Sequence, residues 1–253
     1  MWANNLLLMP ELRAWLFAVA MLCASPATAS DPVTPSPTAA AATASIFGQV
    51  RITRKLTSQK MRFRLYPGLK SLPPAETPEG IDERRNIVIY LEPADSIPAA
   101  GMLSARIPGQ NPSIKQEGET FIPHVLPIVK GTTVDFPNLD PIFHNVFSLS
   151  GARSFDLGRY PQGSSRSVRF DQPGVVPVFC HLHSDMSAII LVLDNPFFSV
   201  PDTDGNYRIG NVPPGTYTLI GWHERSERTE QKVTLKPGEP VELDVLIPID
   251  DEQ

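Results

Sequence analysis

The sequence predicts an all-β protein, and three observations carry that expectation. Apolar and polar residues alternate over short runs, as in Met61-Arg62-Phe63-Arg64-Leu65, which is the period of a half-buried strand. The 27 Pro and 16 Gly among 253 residues put turn formers between these runs. No run of helical periodicity is longer than the apolar leader at the N-terminus.

Residues 1–29 read as an export signal. Arg13 precedes an apolar core from Ala14 to Ala24, and Ala27-Thr28-Ala29 forms a small-x-small cleavage site before Ser30. A core of about 11 residues is too short for a permanent membrane span, which takes about 20. The mature chain is therefore expected to be periplasmic or secreted, without a span. Lipid attachment through Cys23 is disfavoured by bulky Leu22 before it. Residues 30–45 are mostly Pro, Ala, Thr and Ser, which bury too little apolar surface to offset ordering their backbone, and read as a disordered linker.

Residues 46–111 hold three strand candidates, Ser45 to Ile52, Met61 to Leu65 and the largely apolar Asn86 to Glu92, separated by Pro- and Gly-rich loops. Residues 112–195 are dense in short strands: Thr120 to Val129, Thr132 to Phe136, Asn145 to Leu149, Ser167 to Phe170, Val175 to Phe179 and Ala188 to Leu193. Gly131, Gly174 and Asn138-Leu139-Asp140-Pro141 supply the reversals between them. Regular short strands without intervening helices predict a sandwich or barrel. Residues 196–253 add five more: Phe197 to Val200, Tyr207 to Ile209, Thr216 to Trp222, Lys232 to Leu235 and Val241 to Ile247. Asp202-Thr203-Asp204-Gly205 opens like a calcium loop, but Pro213 stands where the bidentate Glu belongs, so it reads as a plain turn.

The net charge of -5 and pI near 5.6 offer no basic surface for nucleic acid, and no basic amphipathic helix argues for a membrane surface. Once the leader is removed, Cys180 is the only cysteine left, so no internal disulfide can form. An unpaired thiol in an oxidising compartment needs a reason. It can be a buried small hydrophobe, but His183 and Met186 at +3 and +6 favour ligation of a metal. These three lie on a loop between two apolar strands, and His144, between a Pro-rich turn and a strand, offers a second imidazole. Two His, one Cys and a weak Met make the trigonal site with a long axial bond that marks electron-transfer copper. His181 follows Cys180 directly and is expected to point the other way on extended backbone. His124 reads as a hydrogen-bonded strand residue. His223 with Glu224 belongs to the C-terminal strands, with a second metal site there as the weaker alternative.

Lys130-Gly131-Thr132-Thr133-Val134, Asn138, His144-Asn145-Val146, Pro173-Gly174 and Cys180-x-x-His183-x-x-Met186 together make residues 112–195 resemble a cupredoxin, most closely the amicyanin and plastocyanin-like branch. The resemblance implies a Greek-key β-sandwich with one type 1 copper per chain, held by His144, Cys180, His183 and Met186. It further implies that Asn145 pins the ligand loop and that electrons pass through the edge of His183. A redox partner, a cytochrome or a dehydrogenase, would dock there on Pro141, Phe143 and Leu182. Asp204-Gly205-Asn206-Tyr207 through Leu219 resembles the second half of a carboxypeptidase regulatory-like domain, a transthyretin-like β-sandwich, and Gly48-Gln49-Val50 through Leu91 resembles its first half. Residues 46–92 and 196–248 are thus expected to pair into one accessory sandwich with the copper block inserted between them. The chain shows no nucleophile-base pairing and no phosphate loop, so the expected role is a one-electron carrier rather than an enzyme. Copper storage or delivery, and a metal-free adhesion module, are the alternatives.

Overall fold

A computed structural model describes residues 42–52, 83–94 and 111–248. The leader, most of the linker and the expected strand Met61 to Leu65 lie outside these residues. The described elements are all strands apart from one 3-10 turn at Glu83–Asn86. In chain order they are β1 (Ala44–Ile52) and β2 (Val88–Pro93); then β3 (Lys115–Gln116), β4 (Phe121–Ile122), β5 (Val125–Val129), β6 (Thr132–Pro137), β7 (His144–Leu149), β8 (Ser154–Tyr160), β9 (Ser165–Phe170), β10 (Gly174–Phe179) and β11 (Ser187–Leu193); and last β12 (Phe198–Ser199), β13 (Asn206–Val212), β14 (Gly215–Trp222), β15 (Thr229–Leu235), β16 (Pro240–Glu242) and β17 (Val245–Ile247).

The middle block is a sandwich of a five-stranded sheet, in the order β5-β11-β10-β7-β8, over the pair β6-β9. Alternation builds the core between them: in β6, Thr132, Val134 and Phe136 turn inward while Thr133, Asp135 and Pro137 stay nearer solvent. Phe170 of the paired strand β9 and Val146, Val176, Val178 and Ile190 of the facing sheet complete it. Two strands here differ from expectation. The run Thr120 to Val129 is broken into β4 and β5 at Pro123, which lacks the N–H a ladder needs. The strand β8 has no counterpart among the expected ones: Ser154-Phe155-Asp156-Leu157-Gly158-Arg159-Tyr160 lies at a sheet edge, and of its side chains only Tyr160 is buried.

β1 and β2 pair with strands more than 100 residues away. β1 runs antiparallel to β13 on one side and parallel to β16 and β17 on the other. β2 lies between β12 and β14, with β15 beyond. The two sheets enclose one core of Ile46, Val50, Ile87, Ile89, Leu91, Ile209, Leu219, Leu235, Val245 and Ile247. The strand begins two residues inside the stretch read as linker, since Ala44 is buried opposite Val212. Val241 to Ile247, expected as one strand, is interrupted at Leu243-Asp244. There the Leu243 N–H donates to the Phe47 carbonyl and the Gln49 N–H to Asp244 Oδ1.

The continuous apolar runs have a common cause. In β2, Ile89 and Leu91 face this core while Val88 and Tyr90 face the other way, and in β11, Ala188, Ile190 and Val192 face the middle sandwich while Ile189, Leu191 and Leu193 face out of it. The outward faces meet: Val88, Tyr90 and Ile220 pack with Val125, Ile189, Leu191 and Leu193. A strand buried on both faces has no polar side to alternate with.

Candidate metal centre

The site sits at the end of the middle sandwich where β10 gives way to β11. Phe179 pairs with Ser187, so residues 180–186 form the loop of a hairpin, and Phe179 pairs with Phe147 of β7 on its other side. The Cys180 N–H donates to the Met186 carbonyl at 3.3 Å and the Met186 N–H to the His183 carbonyl at 3.2 Å, which winds the loop into tight turns. Asn145 ties it to β7: its Oδ1 accepts the His181 N–H at 3.4 Å, while its amide donates to Asp156 at 2.7 Å.

This framework brings His144, Cys180 and His183 together. The two Nδ1 atoms are 3.1 Å apart, and Cys180 Sγ lies 4.0 Å from His144 Nδ1 and 3.9 Å from His183 Nδ1. Among the described residues this is the one group of three or more His, Cys, Asp or Glu side chains whose ligand atoms converge. His144 and Cys180 are buried, whereas the His183 side chain keeps 26% of its surface exposed. Met186 is buried in the same core as Cys180.

Bond lengths decide what the cluster can hold. Zinc binds imidazole nitrogen at about 2.0–2.1 Å and thiolate sulfur at about 2.3 Å, and a tetrahedron built with such bonds puts sulfur about 3.5 Å from each nitrogen. Both sulfur–nitrogen separations here are longer. With the same bonds, an N–ion–N angle of about 98° and N–ion–S angles of about 134° and 127° reproduce all three separations. Those angles sum to almost a full circle, so His144, Cys180 and His183 would suit a three-coordinate ion. A planar His2Cys set fits electron-transfer copper.

A second layer of contacts surrounds the cluster. His144 Nε2 lies 2.8 Å from Asp140 Oδ2, and the Asp140 carboxylate also accepts the N–H groups of Gly118 at 2.6 Å and Glu119 at 2.9 Å. Burial alone would raise the Asp140 carboxyl, but those two N–H groups and the His144 imidazole outweigh it and hold it below the usual carboxylate range. His183 Nε2 faces Glu119 Oε2 at 3.8 Å. In the sequence Asp140 reads as a turn residue and Glu119 carries no signal, since neither lies in a pattern with the ligands.

The remaining imidazoles stand apart. His181 stacks flat on Phe147, ring centres 3.7 Å apart, with Nε2 3.7 Å from Asp156. His124 is hydrogen-bonded at both nitrogens, to the Ser187 carbonyl at 3.0 Å and Glu224 Oε1 at 2.8 Å, which joins the start of β11 to the turn after β14. His223 is buried, accepts the Arg225 N–H on Nδ1, and faces Glu83 at 3.7 Å. No helix among the described residues is long and apolar enough to cross a membrane.

No protein family and no curated protein matches the chain. Solved structures similar to part of it include a copper-containing nitrite reductase from Thermus scotoductus SA-01, 27% identical over 33% of this chain and 22% of that one, with a TM-score of 0.32. A purple cupredoxin from Nitrosopumilus maritimus is 22% identical over 33% of this chain and all of its own length, with a TM-score of 0.30. A reduced amicyanin variant is 19% identical over 39% of this chain and 97% of its own length, with a TM-score of 0.32. The chain thus spans about a fifth of the nitrite reductase.

Proposed function

We propose that the protein is an exported one-electron carrier with a single type 1 copper in the middle sandwich. The observation that carries this reading is the spacing of the three donor atoms, which suits a planar three-coordinate ion. His144, Cys180 and His183 would hold the ion, and Met186, buried in the same core as Cys180, would add a weak thioether donor that tunes its potential. Copper held this way cycles between Cu(II) and Cu(I), and a rigid frame that suits both states keeps the rearrangement on each transfer small. The chain supplies that frame. Two strands fix the ends of the ligand loop, Asn145 ties it at His181, and His144 is locked into β7.

His183 is the route in and out, as the ligand with a solvent-facing side chain. Around it Pro141, Ile142, Phe143 and Leu182 are exposed, Phe143 at 56%. A redox protein, a cytochrome or a dehydrogenase, docks on this apolar rim, where burial favours association and brings the imidazole edge close to the partner. The segments 46–92 and 196–248 act as one accessory domain with the copper sandwich inserted in it. This is supported by the pairing of β1 with β13, β16 and β17 and of β2 with β12 and β14.

The test is a titration of the purified full-length protein with Cu(II). An intense blue colour at one equivalent that bleaches with reductant and returns with oxidant is expected. A colourless protein that retains only Cu(I) would replace electron transfer with copper delivery.

A further inference from the structure

His144 is fully buried, and both of its ring nitrogens are engaged: Nδ1 faces the cluster and Nε2 faces Asp140 at 2.8 Å. A carboxylate only accepts hydrogen bonds, so this contact keeps the ring proton on Nε2 and leaves the Nδ1 lone pair for an ion. Asp140 is itself clamped. Its two oxygens accept the consecutive N–H groups of Gly118 and Glu119, and its own N–H donates to Asn138 Oδ1 at 3.0 Å.

The clamp is a built feature. Gly118 and Glu119 form the tip between β3 and β4, and both take left-handed backbone angles, φ 62° and 54°. Glycine takes such an angle freely, but glutamate does so only where surrounding contacts over-determine it. Here the contact is the carboxylate on which the two successive N–H groups of the turn converge. The Glu119 side chain continues past the same tip to face His183 Nε2 at 3.8 Å.

We propose that Asp140, gripped by the Gly118-Glu119 tip, is a positioning residue that fixes the tautomer of His144 and biases the centre toward Cu(II). A negative partner on the outer nitrogen makes the imidazole a stronger donor, and the doubly charged ion gains more from that than the singly charged one. Glu119 acts on His183 in the same sense but weakly, because its carboxylate is 62% exposed and water screens it. Replacing Asp140 by Asn cannot preserve the network, since wherever the amide NH2 points it meets a backbone or imidazole N–H.

This inference rests on the copper reading, and the two fail separately. Nitrogen-15 NMR of the metal-free full-length chain is expected to show His144 protonated on Nε2 in the wild type, with that population reduced in Asp140→Asn. On loading, Asp140→Asn should hold Cu(II) about 10- to 100-fold more weakly. Cu(I) should be weakened less, so that the reduction potential rises, while Glu119→Gln should change Cu(II) affinity by less than about fivefold. A wild-type His144 protonated on Nδ1 overturns the proposal, with or without a folded variant. So does a ratio of Cu(II) to Cu(I) affinity in Asp140→Asn within about threefold of wild type. A wild type that binds no copper refutes the electron-transfer reading, and the tautomer then still decides the role of Asp140.

Discussion

Gly48 offers a sharp test of whether a strand near residue 50 belongs to a sandwich made largely of residues beyond 196. It lies in β1 where the chain passes Leu243, and a methyl group there would stand 2.1 Å from the Leu243 carbonyl oxygen and 2.7 Å from its carbon. Backbone cannot rotate away as a side chain can, so β1 and the segment between β16 and β17 must separate by about an ångström to restore ordinary contact. Two hydrogen bonds lie on that seam: Leu243 N–H to the Phe47 carbonyl at 2.9 Å, and the Tyr207 hydroxyl to the Leu243 carbonyl at 2.5 Å. Losing them at about 1 kcal/mol each, with overpacking of about 1–3 kcal/mol, outweighs the roughly 0.5–1 kcal/mol that alanine recovers over glycine in a strand. Gly48→Ala should therefore destabilise the protein by about 3 kcal/mol, a fall of roughly 6–12 °C in Tm for a chain of this size. The control is Gly210→Ala in the neighbouring strand β13, where an added Cβ meets nothing within 4 Å. It should be neutral or slightly stabilising. Thermal unfolding of the chain from Ser30, in which Trp222 is the only tryptophan, followed by circular dichroism and fluorescence compares them. If both variants melt within about 2 °C of wild type, β1 does not thread between β13 and Leu243 and the shared sandwich is wrong.

Cys180→Ser should abolish the visible charge-transfer colour of the Cu(II) protein while the metal-free circular dichroism spectrum stays unchanged, because the strands rather than the thiolate hold the fold. Met186→Leu should retain copper and shift its reduction potential at a stability change below about 1.5 kcal/mol, since the volumes are similar; voltammetry checks the shift, and an unchanged potential removes Met186 from the axial position. Burial alone would raise the Glu83 carboxyl, but His223 at 3.7 Å, the Asn86 amide at 2.8 Å and Arg225 at 3.3 Å outweigh it and bring it down from 4.5 to about 2. A depressed carboxyl stabilises the fold fully above its unfolded value and loses that contribution as pH falls toward the folded one. Between pH 5 and pH 2.5 the wild type should thus lose about 1–2 kcal/mol that Glu83→Gln does not lose, once solvent screening is allowed for. Urea unfolding at the two pH values measures the difference.

The parts of this molecule that can be read from its sequence are those whose cause is local. Cys180, His183 and Met186 fall on one seven-residue loop, and the strands beside it are buried on one face or both, so alternation or an unbroken apolar run marks them. His144 lies 36 positions before Cys180 and is marked only by the Pro-rich turn that precedes it. What could not be read depends on distant chain. β8 sits at an edge with Gly158 at a left-handed angle, and it carries neither a clean period nor an apolar run. The break after Glu242 arises where another segment takes over the backbone hydrogen bonds: Leu243 N–H goes to Phe47, 196 positions earlier. Asp140 reads as a turn residue, since the hairpin tip that gives its carboxylate a second role lies more than 20 residues upstream. His124 was expected to be a hydrogen-bonded strand residue, and its two hydrogen bonds fit that description, although it sits between β4 and β5 and its partner Glu224 is 100 residues away.

The proposed function requires one copper ion held by His144 Nδ1, His183 Nδ1 and Cys180 Sγ, and X-ray absorption at the copper edge of the Cu(II)-loaded protein measures this most directly. Two nitrogen scatterers at about 2.0 Å and one sulfur at about 2.3 Å or slightly less are expected, with the sulfur shell lost in Cys180→Ser. A shell of four nitrogen or oxygen atoms with no short sulfur in the wild-type protein would contradict it.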